Sequence, residues 1–425
     1  MKRVLIMSAV LALSAPLFAQ KANVKKVKSM IEYAATPVNK DFSNLAPDKL
    51  QEVRDLIMPA LTDPESATVP ETWKYAIRLK VNEMNTMLKE RAANNNEFVD
   101  KAAFFLNQAD IVCYAETYYK LLNTPNEKGK LPLKDDERKK EEADCLAFSK
   151  NARNNLFIGA SNLVYDNPET TVKLLDQYYE SFDNPLYAEL NLKETDPYYN
   201  EGSFIYATAL KGAKGDEAKM VEYLNKSLDS KNGALACQEL INYYKGKNDT
   251  ENVNKVYETA FEKFPEQVVF GINIAQNAIQ AKEYDKAIQY AEKQIERIES
   301  GVIKSTNDAG EDIEAVKYPF YFRAIALYNK EKYKEAYDAF CKAVDFRPDY
   351  YDCIVGAGST ATRIASLNKD KKAVANEWYT KAINHYLAAK EMAPEKSNDW
   401  GYPLYASYYN TGKMEDAKKY QKFAK

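Results

Sequence analysis

Residues 318–348 read YPFYFRAIALYNKEKYKEAYDAFCKAVDFRP, and the order of small, bulky and turn-forming residues in this stretch decides the fold. Phe320, Ala324 and Leu327 recur at spacings of four and three, which places them on one face of a helix. Residues 329–332 break the pattern. Ala336, Phe340 and Ala343 then repeat the spacing up to Pro348, which cannot continue a helix. The segment therefore predicts two antiparallel helices, with Ala324 and Ala336 small enough for close approach and Phe340 reaching toward the next pair.

The second-helix pattern returns as Val253, Tyr257, Ala260 and Pro265, and again as Ala382, Tyr386, Ala389 and Pro394, each with increments of four, three and five. A weaker copy uses Tyr284, Ala287 and Ala291, and a final, capping copy uses Ala417, Gln421 and Ala424. Pro348 and Pro394 lie 46 residues apart, about twelve more than one unit of ~34 residues. That surplus is expected as an insertion near 366–372, and the turn-rich stretch SGVIKSTNDAGEDIEAVK predicts another near 300–316.

This arrangement resembles the tetratricopeptide repeat, in which helix-turn-helix units stack into a right-handed α-solenoid. The expected fold class is accordingly all-α. On this resemblance Phe320, Ala324, Leu327, Tyr333, Ala336, Phe340, Ala343 and Pro348 take the packing positions of one unit, and Gly358, Ala382, Tyr386, Ala389 and Pro394 those of the next. Ile241, Tyr244, Tyr257, Ala260 and Pro265 form an earlier unit, and Ala275, Ala278, Tyr284 and Ala287 another. A further unit over 201–232 uses Phe204, Thr208, Met220, Leu224 and Ser227. Upstream the pattern fades. Helices are expected before Pro59, from Pro70 to Leu88, from Glu97 to Leu122, and as a degenerate pair over 153–184 with Ala160 and Leu163 facing Val172 and Tyr179. The expected organisation is an N-terminal helical region over 20–150, of degenerate repeats or of different packing, and a repeat array over 151–425.

The chain opens MKRVLIMSAVLALSAPLFAQ: Lys2 and Arg3, an apolar run over 4–15, then Pro16 and Ala19. This predicts a secretory signal over 1–19 with cleavage after Ala19. The run is shorter than the ~20 apolar residues of a membrane span, and no cysteine follows to accept a lipid. The expectation is a soluble periplasmic product without an integral membrane segment, associating with the outer membrane only through a partner. Lys21 to Lys28, KANVKKVK, reads as an ordinary mature terminus.

With 59 basic and 62 acidic residues the formal charge is -3, which argues against a nucleic-acid partner. The five cysteines are odd in number and lack close pairs, and His385 is alone. These counts argue against a metal centre, a cofactor or a histidine-based enzyme. GAGST at 356–360 falls within a helical pattern, without the strand or lysine of a phosphate loop.

The 32 tyrosines are first a packing resource for stacked helix pairs. The repeat resemblance implies that first helices line a concave surface. Residues outside the packing stripe of those helices are then candidate groove residues: Tyr318, Tyr321, Tyr328, Tyr402 and Tyr409, with Asn242, Gln276 and Arg363. Tyrosine joins an apolar ring to a hydrogen-bonding hydroxyl, Asn and Gln pair with peptide backbone, and Arg binds carboxylate. The expected function is a non-catalytic protein-interaction scaffold or peptide-binding module of the cell envelope. The alternative is recognition of carbohydrate or peptidoglycan within an envelope uptake system. The chain is also similar in kind to uncharacterised periplasmic repeat proteins of Gram-negative bacteria. Helical-repeat nutrient-binding lipoproteins differ by their lipid-accepting cysteine and larger insertions.

Overall fold

The computed structural model describes residues 18–33, 45–307 and 309–424. The expected signal over 1–19 thus lies almost wholly outside the described residues. Among these the structure is all-α, built of paired, contacting helices as in a tetratricopeptide-like α-solenoid. Among the described residues, β-geometry is limited to an isolated antiparallel bridge between Thr306 and Asp312. No described helix is long and apolar enough to cross a membrane. The chain divides into two compact units, Met1–Ala236 and Cys237–Lys425.

The first unit holds α1 (Phe18–Tyr33), α2 (Pro47–Ile57), α3 (Pro70–Ala93), α4 (Lys101–Leu122), α5 (Asp135–Leu163), α6 (Pro168–Ser181), the short α7 (Leu192–Thr195), α8 (Glu201–Gly212) and α9 (Glu217–Lys226). The basic stretch is not a loose terminus. Val24, Val27 and Ile31, spaced three and four apart, are buried along α1. Lys21, Lys26 and Lys28 pair with Glu65, Glu52 and Glu71 at 2.8, 3.0 and 3.5 Å. α3 to α5 run 24, 22 and 29 residues, against 12 and 14 in the pair quoted first, so the regular repeat does not extend here.

Two registers in this unit differ by one residue from the sequence expectation. In α8 it is Ser203, Ala207 and Leu210 that are buried, whereas Phe204 and Thr208 are half-buried. The reason is the turn. Four residues separate α8 from α9, one more than separate the two helices of the 318–348 pair. In α6, Thr171, Leu175 and Tyr178 take the core, leaving Val172 and Tyr179, each one residue further on, half-buried.

α10 (Gly233–Gly246) leads into the second unit, which continues with α11 (Thr250–Lys263), α12 (Val268–Gln280), α13 (Tyr284–Glu299), α14 (Tyr318–Asn329), α15 (Tyr333–Phe346), α16 (Tyr351–Leu367), α17 (Lys372–Met392), α18 (Ser397–Asn410) and α19 (Met414–Lys419). Phe320, Ala324, Leu327, Ala336, Phe340 and Ala343 are all buried in one cluster, so the spacing that predicted the pair also forms its core. The surplus placed at 366–372 is not a loop. Only 368–371 separate α16 from α17, and these helices, at 17 and 21 residues, are five and seven longer than α14 and α15. Between α13 and α14 the chain is mostly irregular, and its Ile303 and Val316 are buried against the α14–α15 core. The last copy also shifts. α19 passes into a 3₁₀ turn, Gln421–Phe423, with three residues per turn. Tyr420 and Phe423 therefore follow Ala417 inward, while Gln421 and Ala424 stay exposed.

The glycines of GAGST face the neighbouring second helices. A Cβ on Gly356 would lie 2.5 Å from the Phe340 ring, and one on Gly358 2.9 Å from the Tyr386 ring. Close helix contact, not phosphate binding, accounts for both.

Candidate functional site

All eight sequence-selected residues lie in the second unit, on the leading helices of successive pairs: Asn242 on α10, Gln276 on α12, Tyr318, Tyr321 and Tyr328 on α14, Arg363 on α16, and Tyr402 and Tyr409 on α18. They form local groups. Tyr318, at the exposed start of α14, stacks with Phe322 at 6.1 Å and meets the edge of Tyr350 at 6.5 Å. Tyr321 turns inward, 6.3 Å from Phe340 and 5.7 Å from Tyr350, and burial raises its pKa. Tyr321 is therefore as much a packing residue as a surface one.

At the other end of α14, Tyr328 meets Tyr333 edge-on at 5.2 Å. The Arg363 guanidinium lies 5.4 Å from the Tyr333 ring centroid. Tyr333, assigned above only to packing, thus joins Tyr328 and Arg363 into one cation–π group. On α18, Tyr402 and Tyr409 are 57% and 54% exposed. Tyr405 lies between them, with ring separations of 6.4 and 6.0 Å, making a stripe at spacings of three and four along one helical face. Tyr405 was missed because its spacing also fits core packing. Asn242 is exposed and accepts from Gln238 Nε2 at 3.1 Å. Gln276 is exposed on α12.

His385 sits away from these groups. Its Nε2 lies 3.1 Å from the Tyr337 hydroxyl, and partial burial lowers its pKa by disfavouring the charged imidazolium. All five cysteines are free thiols. Burial raises the pKa of Cys341, 3.9 Å from His385, which opposes formation of a nucleophilic thiolate. Among the described residues no group of three His, Cys, Asp or Glu is placed to hold a metal ion.

The first unit contains a cleft that the sequence reading did not single out. Asp176, Tyr179 and Glu180 of α6, Asp183 just beyond it, Tyr206 of α8, and Lys219 and Tyr223 of α9 line an open cleft of about 390 Å³. Tyr179 and Tyr206 stack at 5.7 Å, and Tyr223 lies 5.0 and 4.5 Å from them. The Tyr206 hydroxyl donates to Asp176, and burial pushes the Tyr223 phenol up to about 12. One signal was available in advance: Asp176, Glu180 and Asp183 recur at helical spacing beside tyrosines.

No protein-family model matches the chain, and no curated protein matches it in sequence. Among solved structures it is similar to the C-terminal part of a TPR repeat-containing protein from Cytophaga hutchinsonii, at 15% identity over 60% of this chain and 93% of that one, with a TM-score of 0.32. Yeast Tom70 is 14% identical over 95% of this chain and 75% of its own, with a TM-score of 0.33. The APC/C hetero-tetramer Cut9–Hcn1 gives 12% identity over 92% and 73%, with a TM-score of 0.31. The fold assignment rests on the helix pairs themselves.

Proposed function

We propose that this chain is a non-catalytic protein-interaction module whose second unit binds an extended peptide along the leading helices α10, α12, α14, α16 and α18. The observation that carries this reading is the α18 stripe. Tyr402 and Tyr409 are more than half exposed, while Trp400, Leu404 and Tyr408 of the same helix satisfy the core. Exposed rings of this kind offer contact area at low entropic cost. Arg363, held charged beside Tyr333, supplies a partner for a peptide carboxylate. The opening signal-like segment supports export, and with it a partner in the periplasm or cell envelope. Glycan recognition by the same tyrosines is the competing outcome.

The test is recovery of a native envelope partner by crosslinking, followed by binding of a synthetic peptide from that partner to the purified chain. Changing Tyr402 and Tyr409 to Ala is expected to weaken binding at least tenfold with an unchanged far-UV helix signal. Binding that survives these changes and those at Tyr321 and Tyr328 rejects the proposed surface. A saturable glycan signal with no protein partner supports the competing reading.

A further inference from the structure

α15 and α17 are the second helices of their pairs, and the groups they bring together differ from the tyrosine surface of the leading helices. Cys341 of α15 faces His385 of α17, with Sγ 3.9 Å from Nε2. The Tyr337 hydroxyl, one turn back along α15, lies 3.1 Å from the same nitrogen. Thiol sulfur, imidazole nitrogen and phenol oxygen thus converge. His385 is the single histidine of the chain. It and Cys341 are both half-buried, so neither is sealed from water.

A sulfur-to-nitrogen separation of 3.9 Å is long for a hydrogen bond. It suits a shared ion better. Metal bonds of about 2.3 Å to sulfur and 2.0 Å to nitrogen hold the two atoms about 3.5 Å apart at a tetrahedral angle and about 4.3 Å apart in line. The observed spacing falls between these limits, so an ion enters with little side-chain movement. The donors also decide which ion. Thiolate with imidazole selects soft metals, and structural zinc takes four ligands. Among the described residues no third His, Cys, Asp or Glu joins this pair. Cu(I), the soft ion of this series, is satisfied by two or three donors. Asp338 and Asp345 of α15 and Lys381 of α17 act on Cys341 with opposite signs, so the donors rather than the surrounding charge select the ion.

We infer that Cys341 and His385 form a site for one Cu(I) ion, bound through Sγ and Nε2 between α15 and α17, with the Tyr337 hydroxyl beside it. Binding forms the Cu–S and Cu–N bonds and breaks the thiol S–H bond, whose proton leaves to water. Copper stays Cu(I) throughout. The site uses none of the residues proposed to hold peptide, so it stands or falls separately from that reading.

The test uses the full chain, reduced and anaerobic, in competition for Cu(I) with the chromophoric chelator bicinchoninate. Far-UV circular dichroism first checks that each variant keeps its helix signal. One Cu(I) per chain is expected to be withdrawn from the chelator. Cys341→Ser and His385→Asn are each expected to weaken binding about tenfold or more. Cys113→Ser, at the other half-buried cysteine, is expected to change nothing. Equimolar Zn(II) is expected to leave the copper in place. X-ray absorption at the copper edge, which needs no variant, is expected to show one sulfur neighbour with nitrogen or oxygen completing the shell. The inference is overturned if the chain withdraws no Cu(I), if two or more sulfurs surround the metal, if Zn(II) displaces it, if His385→Asn leaves the affinity unchanged, or if Cys113→Ser lowers it as much as Cys341→Ser.

Discussion

Arg153 is a guanidinium almost sealed from water, 2% exposed on α5. Its Nε donates to Ser181 Oγ at 2.6 Å, its Nη1 pairs with Asp196 at 2.6 Å, and the rings of Tyr178 and Phe182 lie 4.5 and 4.3 Å away. Removing one partner of such a pair leaves a buried charge unmatched. Arg153→Met is expected to cost about 3–5 kcal/mol, measured by urea denaturation. Adding Asp196→Asn, which keeps the acceptor for the Tyr198 N–H, is expected to restore part of that loss. If the double variant is as unstable as the single one, the pair is not the source of the cost. Glu116 gives a pH signature. Burial raises its carboxyl to about 7, against an ordinary 4.5, although Gln177 donates to it at 2.9 Å. The folded chain then holds a proton that the unfolded chain releases between pH 4.5 and 7. This contribution is full below 4.5 and is lost as pH rises through 7, by at most about 3 kcal/mol. Glu116→Gln is expected to flatten that slope in denaturation profiles at pH 4.5 to 8.

At the scale of elements, the C-terminal cap depends on two aromatic side chains. Trp400 of α18 lies 6.4 Å from Tyr420 and 5.4 Å from Phe423 in edge contacts, and its indole N–H donates to Ala393 O at 3.1 Å. Tyr420→Ala with Phe423→Ala is expected to uncover Trp400, red-shift its fluorescence and destabilise the second unit by about 3 kcal/mol or more. An unshifted emission spectrum would show that these residues do not cover it. The sequence located α14 and α15 well because a long amphipathic period, a turn and Pro348 agree there. It misplaced Gln421 because a 3₁₀ turn replaces the α-period with three residues per turn. It missed the register of α8 because one extra residue in a turn leaves both helices periodic but rotates one relative to the other. In α3 to α5 the helices are long, and α4 buries Phe104, Phe105, Ile111, Val112, Tyr114 and Tyr118, so no repeat spacing stands out. Of the candidate site, the leading-helix positions were legible. The Tyr333 bridge between Tyr328 and Arg363, and the cleft of the first unit, arise from contacts between helices that spacing along one helix does not encode.

At the scale of the whole molecule, a charge of -3 supplies no strong long-range field, so the proposed binding is expected to depend on shape and local chemistry. Tyr206, Tyr257 and Tyr386 are consumed by packing, which narrows the surface set to residues such as Tyr318, Tyr402, Tyr405 and Tyr409. The proposed function requires that leading helices of the second unit bind peptide. The direct measurement is amide hydrogen exchange of the full chain, alone and saturated with a peptide selected against it from a displayed library. Peptide bound along the leading helices is expected to slow exchange in α14, α16 and α18, extending toward α10 and α12 for longer peptides. Protection confined to α11, α13, α15 and α17, or to residues 300–313, contradicts it.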